Sequence, residues 1–169
     1  VEIINTLDDK KRIKINGKSQ GRISNVIGKI NAVMFSPEDL SLIKGTPSDR
    51  RRFLDILISR INPPYLRLLG EYQSVLKQRN ELLKKIRENR RESIKLDDSL
   101  DSWNTLLVDL GSAIIKQRIS IISELSAITV RIHKKLTESQ EEFKVEYQSE
   151  ILTRGEKSDN ISGQFMDNL

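Results

Sequence analysis

The chain has 169 residues, 37% of them hydrophobic and 31% charged, and its 29 basic and 24 acidic side chains leave a net charge of +5. That length fits one ordinary domain, or one and a half small ones. The absence of cysteine excludes disulfides and thiolate metal sites, the single histidine (His133) argues against a histidine-based metal site or triad, and no apolar run approaches a membrane span.

In chain order, VEIINTLDDKKRIKINGKSQ reads as strand, turn, strand. Val1 and Ile3, then Ile13 and Ile15, alternate with period two, and Asp8-Asp9 supplies the turn. Asn16-Gly17 is a second tight-turn signal. SNVIGKI suits a short helix, and NAVMF is a short apolar run suited to a strand buried on both faces, ended by Pro37. PEDLSLIKG is a short turn or helix stopped by Gly45. Thr46 is placed to cap the next helix, with Pro47 at its first position and Asp49 three residues past the cap, a capping-box spacing with Asp in place of Glu. That helix is expected to run to about Ile61, where Asn62-Pro63-Pro64 breaks it and Pro64 opens another.

From Pro64 to about Glu92, Tyr65, Leu69, Tyr72, Leu76, Leu83 and Ile86 form a helical stripe with Arg79 filling the gap, about 40 Å long. A polar connection, SIKLDD, follows. A second long helix is expected over about Asp98 to Thr137, with Leu100, Trp103, Leu107, Leu110, Ile114, Ile121, Leu125, Ile128, Ile132 and Leu136 on its stripe. Two such helices with a short connection are expected to pack antiparallel, as a hairpin arm. EFKVEYQSEI alternates like a strand, TRGEKSDN is a loop, and ISGQFMDNL begins a helix. The expected fold is α+β, mainly α: a β-containing piece over 1–40, a helical arm over 41–140, and a returning strand with the start of a further helix over 141–169.

Few motifs suggest chemistry. The GKS at Gly17 to Ser19 fails as a phosphate-binding P-loop, because the glycine required five residues earlier is Arg12. No other glycine-rich phosphate loop is present, so the chain by itself is not expected to be an enzyme. Asp97, Asp98 and Asp101 read as acids suited to a helix start. His133 reads as a surface or rim residue, and Trp103 as packing. Lys84, Lys85, Arg87, Arg90 and Arg91 crowd a helix C-terminus, where cations are stabilising.

Arg50, Arg51 and Arg52 differ, because they follow a helix start, where the dipole works against them. Successive residues turn by about 100°, so the three cannot share a face. Arg51 lies four residues before Asp55 and has the spacing of an ion pair, in the weaker order. Two readings stay open on the residues alone. In one, Glu38, Asp39, Asp49 and Asp55 neutralise the arginines within the fold. In the other, helix N–H groups and arginine forks form an anion site for phosphate.

FSPEDLSLIKGTPSDRRRFLD, Phe35 to Asp55, closely resembles the signature of the RecF family of bacterial DNA replication and repair proteins. PPYLRLLGEYQSVLKQRNELLK from Pro63 and LDSWNTLLVDLGSAIIKQR from Leu100 continue the resemblance, which covers about Val1 to Ser149. Thr46 stands where the family commonly has a smaller residue. The resemblance implies an ABC-type ATPase related to the SMC proteins. It implies ATP and Mg in the intact protein, head-to-head dimerisation around ATP, and binding to DNA at single-strand/double-strand junctions. It also implies work with RecO and RecR in loading RecA, in the cytoplasm and away from membranes. The Walker A motif is then expected upstream of Val1, and the ABC signature and Walker B motif downstream of Leu169. On this footing the chain is a non-catalytic middle piece without its own cofactor or metal. It contributes DNA contacts through Lys44, Arg50, Arg51 and Arg52, or serves as a structural or protein-docking hairpin for RecR or a second subunit.

Overall fold

A computed structural model describes residues 2–5, 11–21, 36–88, 93–138, 140–152 and 160–169. The chain is mainly helical with a small antiparallel sheet, and it divides into two compact units, Val1–Leu66 and Arg67–Leu169. The expected Asp8-Asp9 turn, the SNVIGKI helix and the NAVMF strand lie outside the described residues.

In the first unit, strands β1 (Glu2–Asn5), β2 (Lys11–Ile15) and β3 (Lys18–Gln20) form an antiparallel sheet in that order. Ile3 is opposite Ile13, and Ile15 is opposite Lys18. Asn16 and Gly17 turn β2 into β3 with φ of 50° and 75°. Positive φ at both central residues is what a two-residue hairpin matching the strand twist requires, and Asn-Gly meets it at least cost. The GKS triplet is therefore a hairpin turn and the start of β3.

A 3-10 turn (Pro37–Leu40) leads into α1 (Ser41–Lys44), and α2 (Pro47–Ile61) follows. Leu54, Ile58 and Ser59 form the buried side of α2. The break after α2 is confined to Asn62, because Pro63 already begins α3 (Pro63–Glu88). Proline fits a first helical position, where its missing N–H costs nothing. Tyr65 is only 1% exposed, and its hydroxyl donates to Asp55 Oδ1 at 2.6 Å. Its backbone N–H donates to the Asn62 carbonyl at 3.0 Å. Ser59 Oγ donates to the Asp55 carbonyl at 2.6 Å.

The second unit is built on α3 and α4 (Ser93–Leu136). The expected polar connection SIKLDD is instead the first part of α4. It holds no glycine or proline, and each added residue contributes one more helical hydrogen bond once a helix exists. Asp97 and Asp98 consequently lie beyond the first turn, which holds no acid. Arg79 of α3 donates through Nε to Asn104 Oδ1 of α4 at 2.6 Å. Seven residues away on each helix, Tyr72 of α3 lies against Gly111 of α4. The two contacts run in opposite directions along the helices, so α3 and α4 are antiparallel where they meet.

Leu107, Val108, Ile115, Ile161 and Phe165 form the buried core, with Tyr72, Val75, Leu76, Ile119, Tyr147, Ile151 and Leu152 packed around it. Ile161 and Phe165 belong to α5 (Ile161–Asp167), which Asn160 caps by accepting from Gly163 N at 3.1 Å. The strand expected over EFKVEYQSEI, 142–151, is not formed with any of the described residues. Burial still alternates from Val145 to Glu150, and Tyr147 packs on the helical core. The alternation is that of a single chain laid along helices, which needs period two but no ladder partner. His133, predicted at a rim, is partly covered there: its ring stacks on Phe143 at 4.8 Å, and Glu141 Oε2 lies 3.6 Å from Nε2.

Burial pushes the Tyr72 phenol up, against the opposing pull of Arg118 and Arg79. The unfolded chain therefore gives up this proton first as pH rises. Stability from Tyr72 is full below about pH 10 and falls as the pH climbs from there through the folded value. A spectrophotometric tyrosine titration should show Tyr72→Phe losing one late-ionising phenol. Its denaturation midpoint should also fall less steeply above that pH than that of the natural chain.

Candidate nucleic-acid interface

The arginine turn is set by a cap. Thr46 is extended, with φ −80° and ψ 163°, and its Oγ1 accepts from Asp49 N at 3.3 Å. Thr46 N and Oγ1 in turn donate to Asp49 Oδ2 at 2.8 and 2.7 Å. This reciprocal pair satisfies donors that a helix start leaves open. The same hydrogen bonds hold the Asp49 carboxyl below its ordinary range, the Thr46 side chain first and its backbone second, with Arg50 and Arg52 adding smaller pulls.

A carboxyl lowered in the folded state contributes stability above the unfolded value of 3.8, and loses it as pH falls through the folded value. Asp49→Asn should therefore narrow its deficit against the natural chain as pH drops below about 4, read from urea midpoints across pH. Thr46→Ala should cost about 0.5–2 kcal/mol near neutral pH in the same assay.

Arg50, Arg51 and Arg52 are all exposed, as is Lys44 at the end of α1. Arg50 turns back over the helix start, and its Nη1 donates to the Gly45 carbonyl at 2.9 Å. That contact satisfies one arm of the guanidinium with a neutral acceptor. The i,i+4 pairing open to Arg51 and Asp55 is not made, and no carboxylate among the described residues is within ion-pair distance of Arg51 or Arg52. Of the four acids that might have neutralised the arginines, Asp49 serves the cap and Asp55 accepts from Tyr65. Asp39 Oδ2 accepts from Ser36 N at 2.7 Å. The Glu38 side chain lies outside the described residues.

One face of α2 escaped the sequence reading. Arg52, Phe53, Ile56 and Arg60 are exposed together at helical spacing, with Phe53 at 49% and Ile56 at 47%. The signal was present in the i, i+4, i+8 row of Arg52, Ile56 and Arg60, but an apolar residue on a 15-residue helix is ordinarily assigned to a core. The second basic cluster behaves as expected for a helix end: Lys84 pairs with Glu88 at 4.0 Å, both exposed. Arg90 and Arg91 lie outside the described residues. Among the described residues, no cluster of acids and histidine has the makings of a metal site, and no helix is long and apolar enough to cross a membrane.

No family model matches the chain. Curated relatives do. A protein of Halothermothrix orenii called DNA replication and repair protein RecF is 37% identical over 149 residues, 88% of this chain and 39% of that protein. The protein of the same name from Listeria welshimeri is 35% identical over 159 residues, 94% of this chain and 42% of that one. A solved structure of the recombination mediator protein RecF with ATP, from the RecFOR pathway, superposes on 96% of this chain with a TM-score of 0.81 and 29% identity. The chain belongs to the RecF family. It spans about two fifths of the length of the curated RecF relatives it matches. The capped arginine turn described above lies within the stretch, Phe35 to Asp55, that carries the RecF signature.

Proposed function

We propose that the chain is the non-catalytic middle part of a RecF protein, acting in DNA replication and recombinational gap repair in the cytoplasm. It supplies DNA and partner contacts to an ATP-dependent, Mg-dependent DNA-binding dimer whose nucleotide chemistry resides in other parts of the protein. In this reading α3 and α4 form a helical hairpin arm inserted in an ABC-type ATPase lobe, and RecO and RecR are the protein partners. Lys44, Arg50, Arg51 and Arg52 contact DNA phosphate at a single-strand/double-strand junction.

The observation that carries the phosphate assignment is the exposure of Arg51 and Arg52 with no carboxylate in ion-pair reach among the described residues. Arginine forks suit phosphate geometry. A brace reading has its own support in Arg50, whose fork is already held by the Gly45 carbonyl. Replacing Arg51 and Arg52 by glutamine in the full-length protein separates the two. Phosphate contact predicts weaker binding to all sequences and a log affinity–log salt slope flatter by about 0.9 per lost contact. An unchanged slope with a lowered melting temperature would establish the brace instead.

A further inference from the structure

The long helix α4 has 44 residues and α3 has 26, so α3 cannot accompany α4 along its whole length. The antiparallel register of the Arg79–Asn104 and Tyr72–Gly111 contacts brings Arg67, where the second unit begins, opposite α4 near residue 116. Past that level, Ile121, Leu125, Ile128 and Ile132 continue the apolar row with spacings of four, three and four. Leu136 follows on its edge. Ile128 is 47% exposed, Ile132 49% and Leu136 79%. Among the described residues after α4, Phe143 stacks on His133, a quarter-turn or more away from Ile132, so the far part of the row stays open while Ile121 and Leu125 are partly covered.

Those spacings are the seam of a two-stranded coiled coil, alternating d and a positions. The flanking charges decide what fits it. Glu124 and Arg131 are exposed, stand seven residues apart, and occupy successive g positions on one side of the seam. A second α4 laid antiparallel, with Ile121 opposite Ile132 of the second copy and Leu125 opposite Ile128 of the second copy, brings Glu124 beside Arg131 of the second copy. The two-fold axis repeats that ion pair. A parallel partner in register would have no such match, because g positions then face e positions, here Thr129 and Leu136. We infer that this half of α4 is a self-association face, taking the same face of a second copy of the chain in antiparallel orientation. The seam spans about 23 Å. That is short for a stable dimer, so the association is weak and concentration-dependent. It needs neither nucleotide nor DNA, so it stands apart from the ATP-dependent dimerisation proposed above.

The absence of cysteine makes the test clean. In Glu124→Cys/Arg131→Cys, the two thiols of one helix are about 10.5 Å apart, too far to join to each other. Mild oxidation of the whole chain without nucleotide should give a covalent dimer in the double variant. Either single variant should give none, since like positions on the two copies are also about two turns apart. In sedimentation velocity the natural chain should gain mass with concentration. Glu124→Arg should weaken this about tenfold, and Glu124→Arg/Arg131→Glu should restore it. Monomeric behaviour up to about 1 mM would overturn the inference. So would self-association unaffected by these charge changes, or equal cross-linking in the single variants.

Discussion

Replacing Gly111 by alanine should destabilise the chain by about 1–3 kcal/mol, although alanine is the better helix former by about 1 kcal/mol. The sign is set by tertiary contact. A methyl at Gly111 would sit 2.6 Å from Phe165 Cζ, closer still to Cε2, and 3.1 Å from Tyr72 Cε2. Phe165 is 5% exposed, so its ring has no solvent to retreat into. Gly111 is the place where α4 lets one ring from α3 and another from α5 approach its backbone. The converse change, Phe165→Ala, should cost about 3–5 kcal/mol by leaving a void over Gly111. The two residues touch, so their effects should not add. Gly111→Ala/Phe165→Leu should be more stable than the sum of its single changes, because the smaller side chain yields the space the methyl takes. Denaturant midpoints of the four proteins measure the coupling, and strict additivity would mean that the contact does not form.

Tyr65→Ala should be the costliest change among the described residues of the first unit, about 3–5 kcal/mol. Tyr65 is the most deeply buried of the described side chains there, and its hydroxyl ties the start of α3 to Asp55 in the middle of α2. Tyr65→Phe keeps the ring and removes only the donor, so it should cost about 1–2 kcal/mol, the value of a hydrogen bond to a charged group reduced by the partial exposure of Asp55. Thermal melts of both variants test this ordering. If phenylalanine proved as damaging as alanine, the hydrogen bond would outweigh the packing.

The difference between what was legible in the sequence and what was not follows the range of the forces involved. The Thr46–Pro47–Asp49 cap and the Asn16-Gly17 hairpin were readable because each depends on residues within four positions of one another. The long helices were readable from the apolar period, and the family from a long irregular signature. Three features needed partners distant in the chain. The alternation over 142–151 predicts a strand, but period two marks an extended chain with one covered side, and only the surroundings decide whether a ladder partner exists. The apolar row of α4 was read as one core stripe throughout. The structure buries a second side as well, Val108 and Ile115 beneath α5, and leaves Ile128 and Ile132 nearly half exposed and Leu136 more so, beyond the reach of α3.

The arginines show the same division. Their number, their place behind a helix start, and their inability to share one face follow from the sequence by itself, because helix geometry is local. Where Asp39, Asp49 and Asp55 direct their oxygens was not local in the same way: Ser36, Thr46 and Tyr65 hydrogen-bond to them, while Asp49 still feels the charges of Arg50 and Arg52. Hydrogen-bond competition among several partners at similar spacing is decided by distances of a few tenths of an ångström. Only the folded chain sets those distances.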